Sequence, residues 1–188
     1  MIVEARFAHP VLDASALGAA PVAVRVLGDD FVLWRDDAGT PRAAPDRCPH
    51  RGTRLSLGRV CSGQIECPYH GWRFDGAGRC VHIPALPGFT PPASHGLATH
   101  TLSEAHGLLW LHLQDDAARP RFDAEADATL RKLNVGPYDV AASAPRIVEN
   151  FLDLAHFGFV HEGWLGDRAH AQLADYRIEP TATGFVAS

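Results

Sequence analysis

Cys48-Pro49-His50-Arg51-Gly52 and Cys67-Pro68-Tyr69-His70-Gly71-Trp72 are the two stretches whose reading decides the fold. The first supplies Cys-x-His and the second Cys-x-x-His, with 16 residues between them. In each, proline follows the cysteine and glycine closely follows the histidine. Proline stiffens a turn, and glycine permits a positive φ or a close backbone approach. Two such loops present two thiols and two imidazoles to one point. These side chains are the default soft and borderline metal donors of proteins.

Zinc accepts the same donors, but zinc fingers usually group cysteine with cysteine and histidine with histidine. Here the order alternates. That suits a two-iron cluster in which one iron takes both cysteines and the other both histidines. Structural zinc and a chance placement of the four residues are the competing accounts. Over residues 5–115 the sequence closely resembles the Rieske family. The resemblance implies a [2Fe-2S] cluster held by Cys48, His50, Cys67 and His70. Neutral imidazoles in place of thiolates leave the cluster less negative. The family's potentials accordingly lie at about -150 to +300 mV, against about -400 mV for plant-type ferredoxins. Respiratory Rieske proteins carry one further cysteine in each loop, joined as a disulfide. Thr53 and Tyr69 stand at those positions here, which favours the oxygenase or ferredoxin branch. Cys61 and Cys80 read either as a redox pair or as two buried thiols in a reducing cytoplasm.

The residues around the loops read as β. Val22, Val24 and Val26 alternate with Ala23, Arg25 and Leu27, and Phe31-Val32-Leu33-Trp34 follows the turn signal Gly28-Asp29-Asp30. Asp36–Thr40 reads as a hairpin loop. Short strands are expected at Gln64–Cys67, Trp72–Asp75, Cys80–Ile83 and Gly107–Leu113. Pro84, Pro87, Pro91 and Pro92 mark an extended segment outside any sheet. Such spacing predicts a small sandwich or barrel. Asp115–Pro120 is polar and reads as a boundary. Beyond it, a helical turn is expected at Ala128–Leu133, a strand at Tyr138–Ser143, a buried helix over Arg146–Phe157, and strand starts at Asp175–Ile178 and Gly184–Ala187.

That helix carries the second constellation. Asp153-x-x-His156 places both side chains on one helical face, with Glu149 four residues before. His161 falls off that face, so the helix must end or kink between the histidines, and Gly158 is the natural place. Glu, Asp and two histidines among Phe and Leu need a reason. A helix cap with two satisfied core histidines is the plain account; a metal site is the better one. Asp153-x-x-His156-x-x-x-x-His161 resembles the mononuclear iron site of Rieske non-haem iron oxygenases, the aromatic ring-hydroxylating family. The resemblance implies that His156 and His161 bind Fe(II). Asp153 would bridge His156 to a histidine of a neighbouring subunit's cluster and so carry electrons between subunits. It also implies a homotrimer, a reductase or ferredoxin donor, O2, and a small aromatic substrate that is hydroxylated or demethylated.

The third iron ligand of that family, an aspartate, comes far downstream. Glu162, Asp167, Asp175 and Glu179 are the local carboxylates, and Glu162 points away from the site in most backbones. The expectation is therefore a mainly β chain with a Rieske [2Fe-2S] β-sandwich-like domain at 1–118. An incomplete α+β helix-grip catalytic domain follows at 119–188, inactive alone and exposing Phe151, Phe157, Phe159 and Trp164. A stand-alone Rieske ferredoxin is the alternative, and it has no use for an iron-site motif.

Length and composition agree. The chain's 188 residues allow one domain and a fraction. At 46% hydrophobic and 21% charged it is globular rather than disordered or fibrous. A net charge of -5 disfavours nucleic acid as a partner. No apolar run is long enough for a membrane helix. Met1–Pro10 lacks the features of a secretory signal, so a cytoplasmic location is expected. No dinucleotide-binding motif is present, so flavin and nicotinamide chemistry belongs to a partner. Of 11 histidines, four are given roles and seven are left as ordinary residues.

Overall fold

The structure is a computed structural model that describes residues 3–121, 123–181 and 184–187. The chain divides into two compact units, Met1–Pro137 and Tyr138–Ser188.

The first unit is built from ten strands: β1 (Ala8–Asp13), β2 (Val22–Val26), β3 (Asp29–Arg35), β4 (Pro41–Pro45), β5 (Arg59–Cys61), β6 (Gln64–Glu66), β7 (Arg73–Phe74), β8 (Cys80–His82), β9 (Thr101–Ala105) and β10 (Leu108–His112). They form three antiparallel sheets, ordered β2-β3-β4, β1-β10-β9 and β5-β6-β7-β8. The apolar run in β3 explains how the sheets combine. Successive side chains of a strand face opposite sides. Phe31 and Leu33 enter one core with Leu102, Leu109 and Leu111, and so join the first two sheets. Val32 and Trp34 enter the other core with Cys48, Ile65, Cys67 and Phe74. A strand buried on both faces must be apolar throughout, as Phe31–Trp34 is. The second core is the one that holds both cysteines of the paired motifs.

The Asp36–Thr40 hairpin forms as expected. Asp36 Oδ1 accepts the backbone N–H groups of Ala38 and Thr40 at 3.0 and 2.9 Å, while Oδ2 accepts from Arg42 Nε at 2.8 Å. Burial works to raise the Asp36 pKa, but Arg42 and the two backbone donors outweigh it and hold the carboxyl below its ordinary 3.8. A lowered folded-state pKa stabilises the fold above the ordinary value, and that stabilisation is lost as pH falls through the folded one. Asp36→Asn keeps an oxygen for the turn and loses the Arg42 pair. It is expected to cost about 1–2 kcal/mol near neutral pH. In urea unfolding series at several pH values, that difference closes as pH falls below the folded-state pKa.

Strands β1, β5 and β9 escape the sequence reading, and β4 enters it only as the chain beyond the Asp36–Thr40 hairpin. In β1, Pro10 lies in an edge strand at a register shift between Pro10 and Leu12, where a missing N–H is tolerated. In β9, alternation is broken by Ser103 and Glu104. The Ala128–Leu133 helical turn shrinks to one turn, in which the Leu130 N–H reaches the Asp127 carbonyl at 3.4 Å. Asp127 Oδ1 accepts the backbone N–H and hydroxyl of Thr129, at 2.8 and 2.6 Å, and this local bond competes with helix formation. The polar Asp115–Pro120 segment is a surface turn within the first unit. From within it, Arg119 pairs with Glu125 at 2.7 Å, and beyond it Asn134 Nδ2 donates to the His106 carbonyl at 2.8 Å.

The second unit contains α1 (Ala144–Leu152), α2 (Phe157–Val160), and the antiparallel pair β11 (Ile178–Thr181) and β12 (Gly184–Ala187). Tyr138–Ser143 is irregular rather than a strand, and its Ala142 N–H bonds back to the Val140 carbonyl at 2.8 Å. Helix α1 starts earlier than expected because Pro145 sits in its first turn, where no N–H is needed. It also stops earlier, at Leu152. Asp153 turns to extended backbone (φ -84°, ψ 111°), and its Oδ1 accepts the Ala155 N–H at 2.8 Å. The helix therefore breaks before His156, not at Gly158. Gly158 lies inside α2 because the Gly166 backbone passes against it; a side chain there would meet the Asp167 carbonyl at 3.1 Å. The expected burial of the helix is also overturned. Among the described residues of this unit only Gly158 is buried. Phe151 is 79% exposed and Trp164 91%, Phe159 is exposed, and Phe157 is half-buried.

Candidate metal centres

The two ligand loops fold alike. In the first, the Cys48 N–H bonds to the Thr53 carbonyl at 2.8 Å, and the Gly52 N–H returns to Cys48 O at 2.9 Å. In the second, the Cys67 N–H bonds to Trp72 O at 2.9 Å, and the Gly71 N–H returns to Cys67 O at 3.1 Å. Gly52 and Gly71 have φ of 73° and 68°. A residue with a Cβ is strained there, which is why both loops carry glycine at this point.

Matching backbones deliver matching donors. Cys48 and Cys67 are each 2% exposed, whereas His50 and His70 reach the surface with ring centroids 4.6 Å apart. The four donors thus sort into a buried thiol pair and an exposed imidazole pair. Among the described residues no three metal-type side chains converge on one point. A binuclear centre with two protein donors per metal asks for pairs, whereas a single tetrahedral zinc asks for convergence. Burial pushes the Cys48 thiol up to about 11; the His50 and Arg51 backbone N–H groups oppose that, and the adjacent Cys67 adds to it. Bound metal must displace those protons, because the thiolate is the ligand. The His50 pKa is lowered by partial desolvation, then by His70, Arg51 and His95, a direction that favours the neutral imidazole a metal needs. Cys61 and Cys80 are free thiols that face partners of their own: Glu66 Oε2 and the His82 carbonyl, each at 3.9 Å.

The second constellation is assembled by a broken helix rather than a continuous face. His156 and His161 flank the four-residue α2, with ring centroids 5.2 Å apart. Asp153 Oδ2 lies 3.3 Å from His156 Nδ1, yet that buried nitrogen has no hydrogen-bond partner in suitable geometry. Glu149 is directed elsewhere, to Arg146 at 2.6 Å. Glu162 pairs with Arg168 at 2.8 Å, Asp167 faces His170 at 3.2 Å, and Glu179 faces Arg177 at 3.6 Å. The described residues therefore offer two imidazoles and an adjacent carboxylate, with Glu149, Glu162, Asp167 and Glu179 engaged away from them.

One aromatic arrangement was not legible beforehand. Trp72 stacks on His50, and His95 stacks on Trp72. The tryptophan was visible after His70-Gly71, but nothing in the spacing pointed to His95.

Comparison with known proteins agrees with the geometry. The Rieske [2Fe-2S] domain family matches residues 8–100, and the vanillate O-demethylase oxygenase C-terminal domain matches residues 140–187. Methylxanthine N1-demethylase NdmA of Pseudomonas putida is 38% identical over 176 residues, spanning 91% of this chain and 48% of that protein. The oxygenase component of dicamba O-demethylase from Stenotrophomonas maltophilia is 36% identical over 162 residues, spanning 83% and 45%. The solved structure of Pseudomonas putida CBB5 NdmA with caffeine matches at a TM-score of 0.83 and 34% identity, over 93% of this chain and 53% of that one. The chain spans about half the length of the relatives it matches.

Proposed function

Since the chain belongs to the Rieske non-haem iron oxygenases, we propose that it supplies the electron-transfer domain and the opening part of the catalytic domain of a demethylating or hydroxylating oxygenase. Cys48, Cys67, His50 and His70 hold the [2Fe-2S] cluster. His156 and His161 are the two imidazole ligands of a mononuclear Fe(II), and Asp153 links that site to a cluster across a subunit boundary. When bound, the cluster supplies one-electron transfer and the iron supplies activation of O2. The protein's own part is to seat two thiolates in a dry core, present two imidazoles at the surface, and orient His156. The observation that carries this reading is the paired loop geometry, with thiols buried and imidazoles exposed.

Relatives named as N- and O-demethylases support a small aromatic or heteroaromatic substrate that loses a methyl group from nitrogen or oxygen. Their description as oxygenase components supports a separate reductase or ferredoxin as electron donor. We place the protein in the cytoplasm as a cyclic trimer in its whole form. No helix among the described residues is long and apolar enough to cross a membrane. The match at residues 140–187 tells against a stand-alone ferredoxin, which has no place for an oxygenase C-terminal segment.

The test is direct. The 188-residue chain, purified without oxygen, is expected to be red-brown and to carry iron with labile sulfide. With a reductase and substrate it forms no oxygen-dependent product. A colourless zinc protein would overturn the cluster assignment, and product formation by this chain alone would overturn the division of labour.

A further inference from the structure

Seven histidines have no place in the reading above, and one of them, His95, is held against the cluster site. It closes a short 3-10 turn, Ala93–His95, in the proline-rich segment that follows β8. Its ring lies 5° from parallel to the Trp72 indole, with centroids 5.2 Å apart. Trp72 in turn lies 3° from parallel to His50, with centroids 4.6 Å apart. Trp72 is thus stacked with both His95 and the cluster donor His50, and the three rings are nearly parallel. Phe89 packs at the outer edge, 6.4 Å from His95.

The backbone holds His95 in this place. The His95 N–H bonds to Pro92 O at 2.9 Å, and the Leu97 N–H bonds to Gly78 O at 2.7 Å. Pro84, at the start of the same segment, approaches Gly71 so closely that a Cβ there would lie 2.9 Å from it. The segment is therefore fastened on both sides of the stack, and Gly71 belongs to the second ligand loop.

An imidazole held through one ring nitrogen keeps one free rotation, about that bond. The side chain's own tether and the neighbouring groups together fix its plane, and outer partners of a metal ligand tune the site in this way. Parallel offset rings are a favoured arrangement, worth more than their buried area alone. We propose that His95 is a positioning residue for His50: it clamps Trp72 against the imidazole and thereby fixes the plane in which His50 meets the cluster. This rests on the reading of His50 as a ligand. The role belongs to the flat ring of His95, not to its nitrogens.

Two variants of the 188-residue chain test it: His95→Ala, which removes the ring, and His95→Phe, which keeps a flat ring without nitrogen. The readouts are the electron paramagnetic resonance g values of the reduced cluster and the rate of iron loss to a chelator. His95→Ala is expected to shift the g values and to speed iron loss about three- to tenfold. His95→Phe restores both. Equal changes in the two variants, or none in either, overturn the proposal. A wild-type chain without any cluster signal overturns the ligand reading of His50, and this inference with it.

Discussion

Cys67→Ser is expected to strip the chain of its iron and labile sulfide, while Cys61→Ser and Cys80→Ser keep both. Cys67 and Cys48 sit in one core with Trp34 and Phe74, where water cannot replace a missing donor. A serine hydroxyl does not ionise in the accessible pH range and is a hard donor, poorly matched to this centre. The loss would also leave Cys48 as a neutral buried thiol, since burial holds it at about 11. Metal-site binding energy is folding energy wherever the unfolded chain has no site. The thermal midpoint of Cys67→Ser should therefore fall with the loss of the visible spectrum. Cys61 and Cys80 provide the control. Their sulfurs face Glu66 and the His82 carbonyl, and no disulfide joins them among the described residues. Cys80→Ser buries a hydroxyl and costs about 1–3 kcal/mol of stability, but the cluster spectrum stays. Iron analysis, sulfide analysis and absorbance on the three variants check this. A Cys61 or Cys80 variant without cluster would return those residues to a redox or ligand role.

What could be read in advance follows from the range of the interactions. Each ligand loop is local: cysteine, histidine and glycine lie within five residues, and their backbone bonds close within six. Spacing alone therefore exposes them. Strand β3 was legible because burial on both faces leaves an unbroken apolar run. Strand β1 was not, because its proline is tolerated only through an edge position and a register shift. The helix break illustrates a subtler limit. Helical geometry shows that a break is needed ahead of His161, and the expected place was between the two histidines, but its site depends on competition. The Asp153 carboxylate captures the Ala155 N–H and ends α1 at Leu152, while Gly158 is kept free for the passing Gly166 backbone. His95 was the least legible residue of all. Its stacking partner is distant in sequence, and a lone histidine in a loop carries no periodic or motif signal.

Asp153 carries the second large effect. In the whole oxygenase, Asp153→Ala is expected to lower product formation by about 10–100-fold while the cluster spectrum stays unchanged. The geometry that motivates this is asymmetric. Oδ1 is committed to the Ala155 N–H at 2.8 Å, so the carboxylate is oriented by its own backbone. Oδ2 lies 3.3 Å from His156 Nδ1, a buried nitrogen that makes no hydrogen bond among the described residues, so the pair is close but not yet bonded. A carboxylate on Nδ1 selects the tautomer that leaves Nε2 free to bind metal. The Asp153 side chain is still about half exposed, at 49%, so it has an edge for a second donor from a neighbouring subunit. Loss of the side chain would therefore remove the bond that ends α1 and the proposed bridge together, and a second variant separates the bridge from simple misfolding. Asp153→Asn keeps an oxygen for the Ala155 N–H and so preserves the end of α1, but it removes the charge that binds two donors at once. If the bridge depends on that charge, Asn is nearly as slow as Ala, and both variants melt close to wild type. Recovery of most of the turnover in Asp153→Asn would confine the residue to capping the helix. Unchanged turnover in Asp153→Ala would remove Asp153 from the electron route.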